Sequence, residues 1–389
     1  MRFSEGKKRI SQRVAMAIVV LAVLAAFACL TGCSNGRSTR AIAVADQGNN
    51  RVLIYIYPIN TNDQAANVVL GQPDFVSNAG ATTAIGMAHP DGTAVDHAGN
   101  LYVSDSSNQR VLMFKPPFTN GMAANLVIGQ PDFVTGTPNL TQNGLDGPNG
   151  LAFDGSGNLW VADIANSRIL EYVPPFATGM NASLVIGQAN FTSGGGASTS
   201  TRLDFPNYIA FDGSGDLWVT DAGNNRLLKY VPPFATAMAA TLVIGQANFT
   251  SFGSALTASG LDVPRGIAFD HAGNLWIGDT SNERVLEFVP AFATGMSASV
   301  VLGQPDFVTA TANLSQSGFD APFGLAFDSK GRLAVADSSN SRTMAFKPPF
   351  TTDQLAEGVL GQPDFVTSTG TTTAVGQRFP VTVRALYRF

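Results

Sequence analysis

The sequence predicts an all-β fold, a six-bladed β-propeller. Three observations predict it: a 58-residue repeat, four short apolar strands per copy, and an incomplete strand set at each end of the array. Gly-Gln recurs at 71, 129, 187, 245, 303 and 361, and Pro at 90, 148, 206, 264, 322 and 380, both every 58 residues. Asp-x-x-Asn-x-Arg begins at Asp46, Asp105, Asp163, Asp221, Asp279 and Asp337, with one extra residue in the first unit between Arg51 and Gly71. In the copy led by Pro206, residues 208–212, 217–220, 226–230 and 241–244 read as strands, because apolar runs this short, bounded by Gly, Pro, Asn and Asp, are too brief for helices. Strands apolar on both faces must be buried between two neighbouring sheets, and radial stacking does this while leaving only short edges. The ends complete the ring. The first unit starts at 41–45, already a second strand, and residues 383–386 form a spare first strand after Pro380. Three N-terminal strands plus one C-terminal strand therefore make the closing blade.

The N-terminus sets the compartment. Residues 1–13 carry Arg2, Lys7, Lys8, Arg9 and Arg13, an uncharged apolar run follows from 14 to 30, and Leu30-Thr31-Gly32-Cys33 ends it. This is the pattern of a cleaved signal peptide, and its end resembles a bacterial lipobox, which implies lipidation of Cys33. The expected organisation is a signal peptide at 1–32, a tether at 33–40 and the propeller at 41–389. By analogy with Gram-negative sorting, Ser34 after the lipidated Cys implies the outer membrane. The leader takes five of 23 basic and one of 28 acidic residues with it, leaving 18 against 27, a net charge of −9. Such a chain has no field to attract nucleic acid, so the expected partners are the membrane, through the anchor, and a protein or glycan. Cys29 leaves with the leader and Cys33 takes the lipid, so no disulfide is expected, and His89, His97 and His271 are too few for a His-rich metal site. No cofactor is expected, a divalent cation entering only with an enzymatic role. Charged residues make up 13% of the chain, against ~25% in an ordinary domain.

The repeated motifs read as scaffold. Six equal Asp-x-x-Asn-x-Arg turns suit six structural roles better than one active site: Asp and Asn satisfy turn N–H groups, and Arg pairs with a carboxylate. The Phe of Gly-Gln-Pro-Asp-Phe is expected to plug the next blade. Asp154-Gly-Ser-Gly-Asn158 lacks the ligands of a calcium loop and reads as a hairpin tip. Trp160, Trp218 and Trp276 share one column with Tyr102 and Ala334 and are expected between blades.

Departures from the repeat mark a candidate site. The residue after each repeat Pro is Asp91, Asn149, Asn207, Arg265, Phe323 and Val381, and His89 precedes the first of these Pro residues. Strand alternation puts this ring at the axial end that also carries the Asp-x-x-Asn-x-Arg turns and the loops after Gly-Gln, which exceed the ~12–15 residues beyond which a loop is usually functional or disordered. Asp91 and Arg265 fall on opposite sides of the ring, so a polarised channel mouth built from Asp91, Asn149, Asn207, Arg265 and His89 is expected. Arg384 stands in a column otherwise held by Ala94, Ala152, Ala210, Ala268 and Ala326 and must reach the channel or a carboxylate.

Segments 157–172 and 273–288, which read Gly-Asn-Leu-Trp-(Val/Ile)-x-Asp-x-x-Asn-x-Arg, resemble NHL repeats, and the resemblance recurs in every unit across 42–389. It implies the same propeller and leaves activity open, since similar propellers serve as sensors, as protein- or RNA-binding platforms and as an amidating lyase. Six-bladed relatives such as gluconolactonases and streptogramin lyases place acidic, Asn or His residues at one channel end, which Asp91, Asn149, Asn207 and His89 echo. The resulting expectation is an envelope-anchored binding or scaffold propeller, with a hydrolase or lyase at the same mouth as the alternative.

Overall fold

Twenty-four strands form six four-stranded antiparallel sheets in a computed structural model that describes residues 40–57 and 62–387. The expected leader at 1–32, Cys33 and the expected tether up to residue 39 lie outside the described residues. Blades 2 to 6 are continuous in sequence, spanning 90–128, 148–186, 206–244, 264–302 and 322–360. Blade 4 shows the pattern: Pro206–Phe211 is innermost, followed outward by Leu217–Asp221, Arg226–Tyr230 and Leu242–Ile244. Blade 1 joins the ends of the chain, with Pro380–Leu386 pairing antiparallel to Ala41–Asp46, Ala41 against Leu386 and Val44 against Val383.

Six apolar clusters fill the six gaps between adjacent blades, including the seam between blades 6 and 1. Trp160 sits fully buried between blades 3 and 4, its ring edge-on to Phe234 at 4.9 Å and Phe211 at 5.8 Å. Its indole N–H donates to Asp154 Oδ2 at 3.1 Å, and Asp154 Oδ1 accepts from the Ser156 and Asn158 amides, so this hairpin tip is held by its own backbone. In blade 6 the same column holds Ala334, and a cavity of about 320 Å³ opens there at the seam with blade 1. The Phe after Gly-Gln corrects one expectation. Phe133 follows blade 2 yet packs into the cluster shared with blade 1, and Phe191 follows blade 3 and packs into the one shared with blade 2. The ring fills the gap behind its blade, and the chain leaves the outermost strand through Gly129 at φ 90°, a left-handed turn that glycine supplies without strain.

Candidate functional site

The Asp-x-x-Asn-x-Arg motif is a fully buried ion pair in every blade, with N–O distances of 2.6–2.7 Å. In blade 5, Arg284 Nε donates to Asp279 Oδ2 at 2.7 Å, Nη1 to the Phe307 carbonyl at 2.6 Å, and Nη2 to the carbonyls of Thr257 at 2.9 Å and Gly260 at 3.1 Å. Asp279 accepts two further bonds, from the Asp262 amide and the Asn282 side chain. One guanidinium therefore fastens the long loop arriving from the previous blade and the one leaving its own. Gln72 adds a second clasp, its amide donating to the carbonyls of Asn50 at 2.9 Å and Ala79 at 3.0 Å. These loops are long because they wrap the scaffold.

At the axis the copies diverge. The inner strands of blades 2 to 6 lose register just past their Pro, as where Pro90 faces Asp105 but Thr93 faces Val103. Such a bulge re-aims the residues inside it. It leaves so little room that a Cβ at Gly92 would lie 2.0 Å from the Asn149 carbonyl oxygen of the next blade, and one at Gly266 1.9 Å from that of Phe323. Two blades break this glycine column. Tyr208 in blade 4 and Thr382 in blade 1 stand three blades apart, and the Tyr208 hydroxyl spans the axis to lie 2.7 Å from both Thr382 Oγ1 and Asp91 Oδ1.

Around this bridge the structure gathers four of the five expected side chains. Asp91 is 5% exposed and accepts from Tyr208 and, at 3.1 Å, from Gln47. Burial pushes its carboxyl up to about 6, against the opposing pull of the Tyr208 hydrogen bond and the Arg265 charge. Asn149 and Asn207 are equally buried and joined at 3.1 Å. The Arg265 guanidinium lies over the Phe323 ring at 4.2 Å. His89 stands apart on the exposed rim, its Nδ1 2.7 Å from Ser107 Oγ. The expected open mouth is thus a nearly closed polar cluster, because Tyr208 fills the axis. Two of its buried polar atoms have no partner: Asn149 Oδ1, an acceptor, and Arg265 Nε, a donor. Tyr208 and Thr382 escaped the sequence reading, although the break in the Pro-x-Gly column at 208 and 382 was its visible trace. Among the described residues no three His, Cys, Asp or Glu side chains converge as a metal site would require.

No protein-family profile and no curated relative matches the chain. Solved structures share the fold. A protein of unknown function from Bacteroides caccae superposes with a TM-score of 0.53 at 11% identity, covering 90% of this chain and all of that one. Virginiamycin B lyase from Staphylococcus aureus, in an inactive form with quinupristin, gives 0.46 at 11% identity over 81% and 83% of the two chains. A gluconolactonase from Xanthomonas campestris gives 0.44 at 16% identity over 83% and 88%.

Proposed function

We propose that this chain is a binding propeller displayed on a bacterial envelope, anchored by a lipid on Cys33. Its ligand is a small polar molecule, or a polar group of a protein or glycan partner, taken at the axial end formed by Asp91, Asn149, Asn207 and Arg265, with His89 on the rim. The supporting observation is the orphaned pair in the cluster, Asn149 Oδ1 and Arg265 Nε. Each buried polar atom without a partner costs about 1–3 kcal/mol, and a ligand that donates to Asn149 Oδ1 or accepts from Arg265 Nε would recover part of it.

A thermal-shift screen of short peptides and mono- and disaccharides tests this reading. Ligands that raise the melting temperature of the wild type should lose that effect in Arg265→Met and in the double variant Asn149→Leu/Asn207→Leu, and retained shifts would contradict the site. A second reading, hydrolysis or lysis at the same end, draws support from Asp91, whose carboxyl, raised to about 6, has acid–base capacity close to neutral pH, while burial and the Asp91 charge keep its Tyr208 partner a protonated donor. Including lactones in the screen separates the two readings: binding without turnover is expected, and turnover lost in Asp91→Asn would favour the enzyme. The anchor is tested by cell fractionation. Cys33→Ser should leave the membrane fraction or keep its leader, and a normally processed, membrane-bound variant would contradict lipidation.

A further inference from the structure

The opposite end of the axis holds a chamber of about 750 Å³, within the size range of small-molecule sites. Tyr208 forms its floor, and it runs out to the hairpin tips at 212–214 and 270–273. Its wall is apolar where the inner strands face it, through Leu151, Ile209, Ile267 and Leu325. Into this wall the closing strand Pro380–Leu386 places Arg384, where the five other blades have Ala.

Among the described residues that charge meets carbonyls and the Tyr387 side chain, and no ion-pair partner. The repeat's own arginines each hold a buried aspartate, whereas Arg384 Nε donates to the Thr93 carbonyl at 3.2 Å and Nη2 reaches the Leu151 carbonyl at 3.5 Å. No carboxylate pairs with it among the described residues. Burial lowers its pKa, with Tyr387 pulling the other way. A second observation points the same way: Thr93 Oγ1, on the same wall, is buried without a hydrogen-bond partner in a residue that is 3% exposed.

We propose that this chamber is a binding site for a small organic carboxylate with an apolar body, its carboxylate on Arg384 and Thr93 and its hydrocarbon against Leu151, Ile209, Ile267 and Leu325. One guanidinium matches one negative charge and offers a carboxylate two parallel donors. Lys229, which also lines the chamber, is already paired with Asp216 at 2.6 Å and Asp212 at 3.8 Å, so a dianionic phosphate would exceed the charge that Arg384 offers. The chamber shares Tyr208 and Thr382 with the polar cluster, but Asp91, Asn149, Asn207 and Arg265 do not line it, so it can fail without the function proposed for that cluster failing.

Calorimetric titration of the purified protein with decanoate, decanol and inorganic phosphate tests it. Decanoate is expected to bind at one site per chain and at least about tenfold more tightly than decanol, with no saturable phosphate binding. Arg384→Ala, which restores the residue of the other blades, should weaken decanoate by about tenfold or more and leave decanol unchanged. If that variant folds poorly, Arg384→Met keeps the volume and should give the same result. Arg265→Met, at the other end, should bind decanoate like the wild type. Equal decanoate affinity in wild type and a folded Arg384 variant, equal affinity for decanoate and decanol, phosphate saturating the same site, or no decanoate binding would each overturn the proposal.

Discussion

A chain ending at Arg378 should lose its cooperative thermal transition, or keep one with at least about 5 kcal/mol less stability. The deleted strand buries Val381, Val383, Ala385 and Leu386, each 6% exposed or less. It is also the inner strand of blade 1 and packs against the inner strands of blades 6 and 2. Full burial of a Val or Leu side chain is worth about 1.5–3 kcal/mol, so three of these side chains alone approach the whole ~5–15 kcal/mol stability of an ordinary domain. Truncation also exposes the Ala41–Asp46 strand as a raw edge open to intermolecular pairing. A circular permutant beginning at Pro90, with residue 389 joined to Ala41 by a short linker, separates closure from chain loss. Ala41 pairs directly with Leu386, so the join is short. The permutant should melt within a few degrees of the wild type. A truncated chain as stable as the full one would refute ring closure by the C-terminal strand, as would a permutant that fails to fold.

Arg284→Met should cost about 3–5 kcal/mol, measured by urea or thermal unfolding. The substitution strands a buried carboxylate at Asp279 and removes donors from the carbonyls of Phe307, Thr257 and Gly260. The penalty comes from leaving a charge and three acceptors unmatched in a dry site, more than from losing attraction between two ions. Replacing both ions, Asp279→Leu with Arg284→Met, should therefore cost less than the two single changes added together. Additive losses would mean that the pair contributes to stability as two independent groups.

The six-fold repeat made the architecture legible, because every copy had to satisfy the same packing rule. The missing first strand at residue 41 and the spare one after Pro380 made the closure legible as well. Direction around the ring was not. Each blade has two neighbours, and nothing in Gly-Gln-Pro-Asp-Phe says which gap receives Phe133 or Phe191. The pairing of Arg284 with a carboxylate followed from its motif, but its loop carbonyls lie 24 and 27 residues upstream and needed the fold. Asp91, Asn149, Asn207 and Arg265 were found as departures from the repeat. Their near-closure was not foreseen, because it depends on Tyr208 crossing an axis that exists only once six blades are assembled.

If the axial cluster is kept for binding and the copied motif for folding, their variants must separate in one measurement, the midpoint of thermal unfolding. Arg265→Met and the pair Asn149→Leu/Asn207→Leu remove the unpartnered Arg265 Nε and Asn149 Oδ1, a relief that offsets part of the support that Arg265 and Asn149 give the buried Asp91 carboxylate. These variants should lose less than about 2 kcal/mol, while Arg284→Met falls by about 3–5 kcal/mol. Axial variants that fall as far as Arg284→Met would show that the cluster is scaffold.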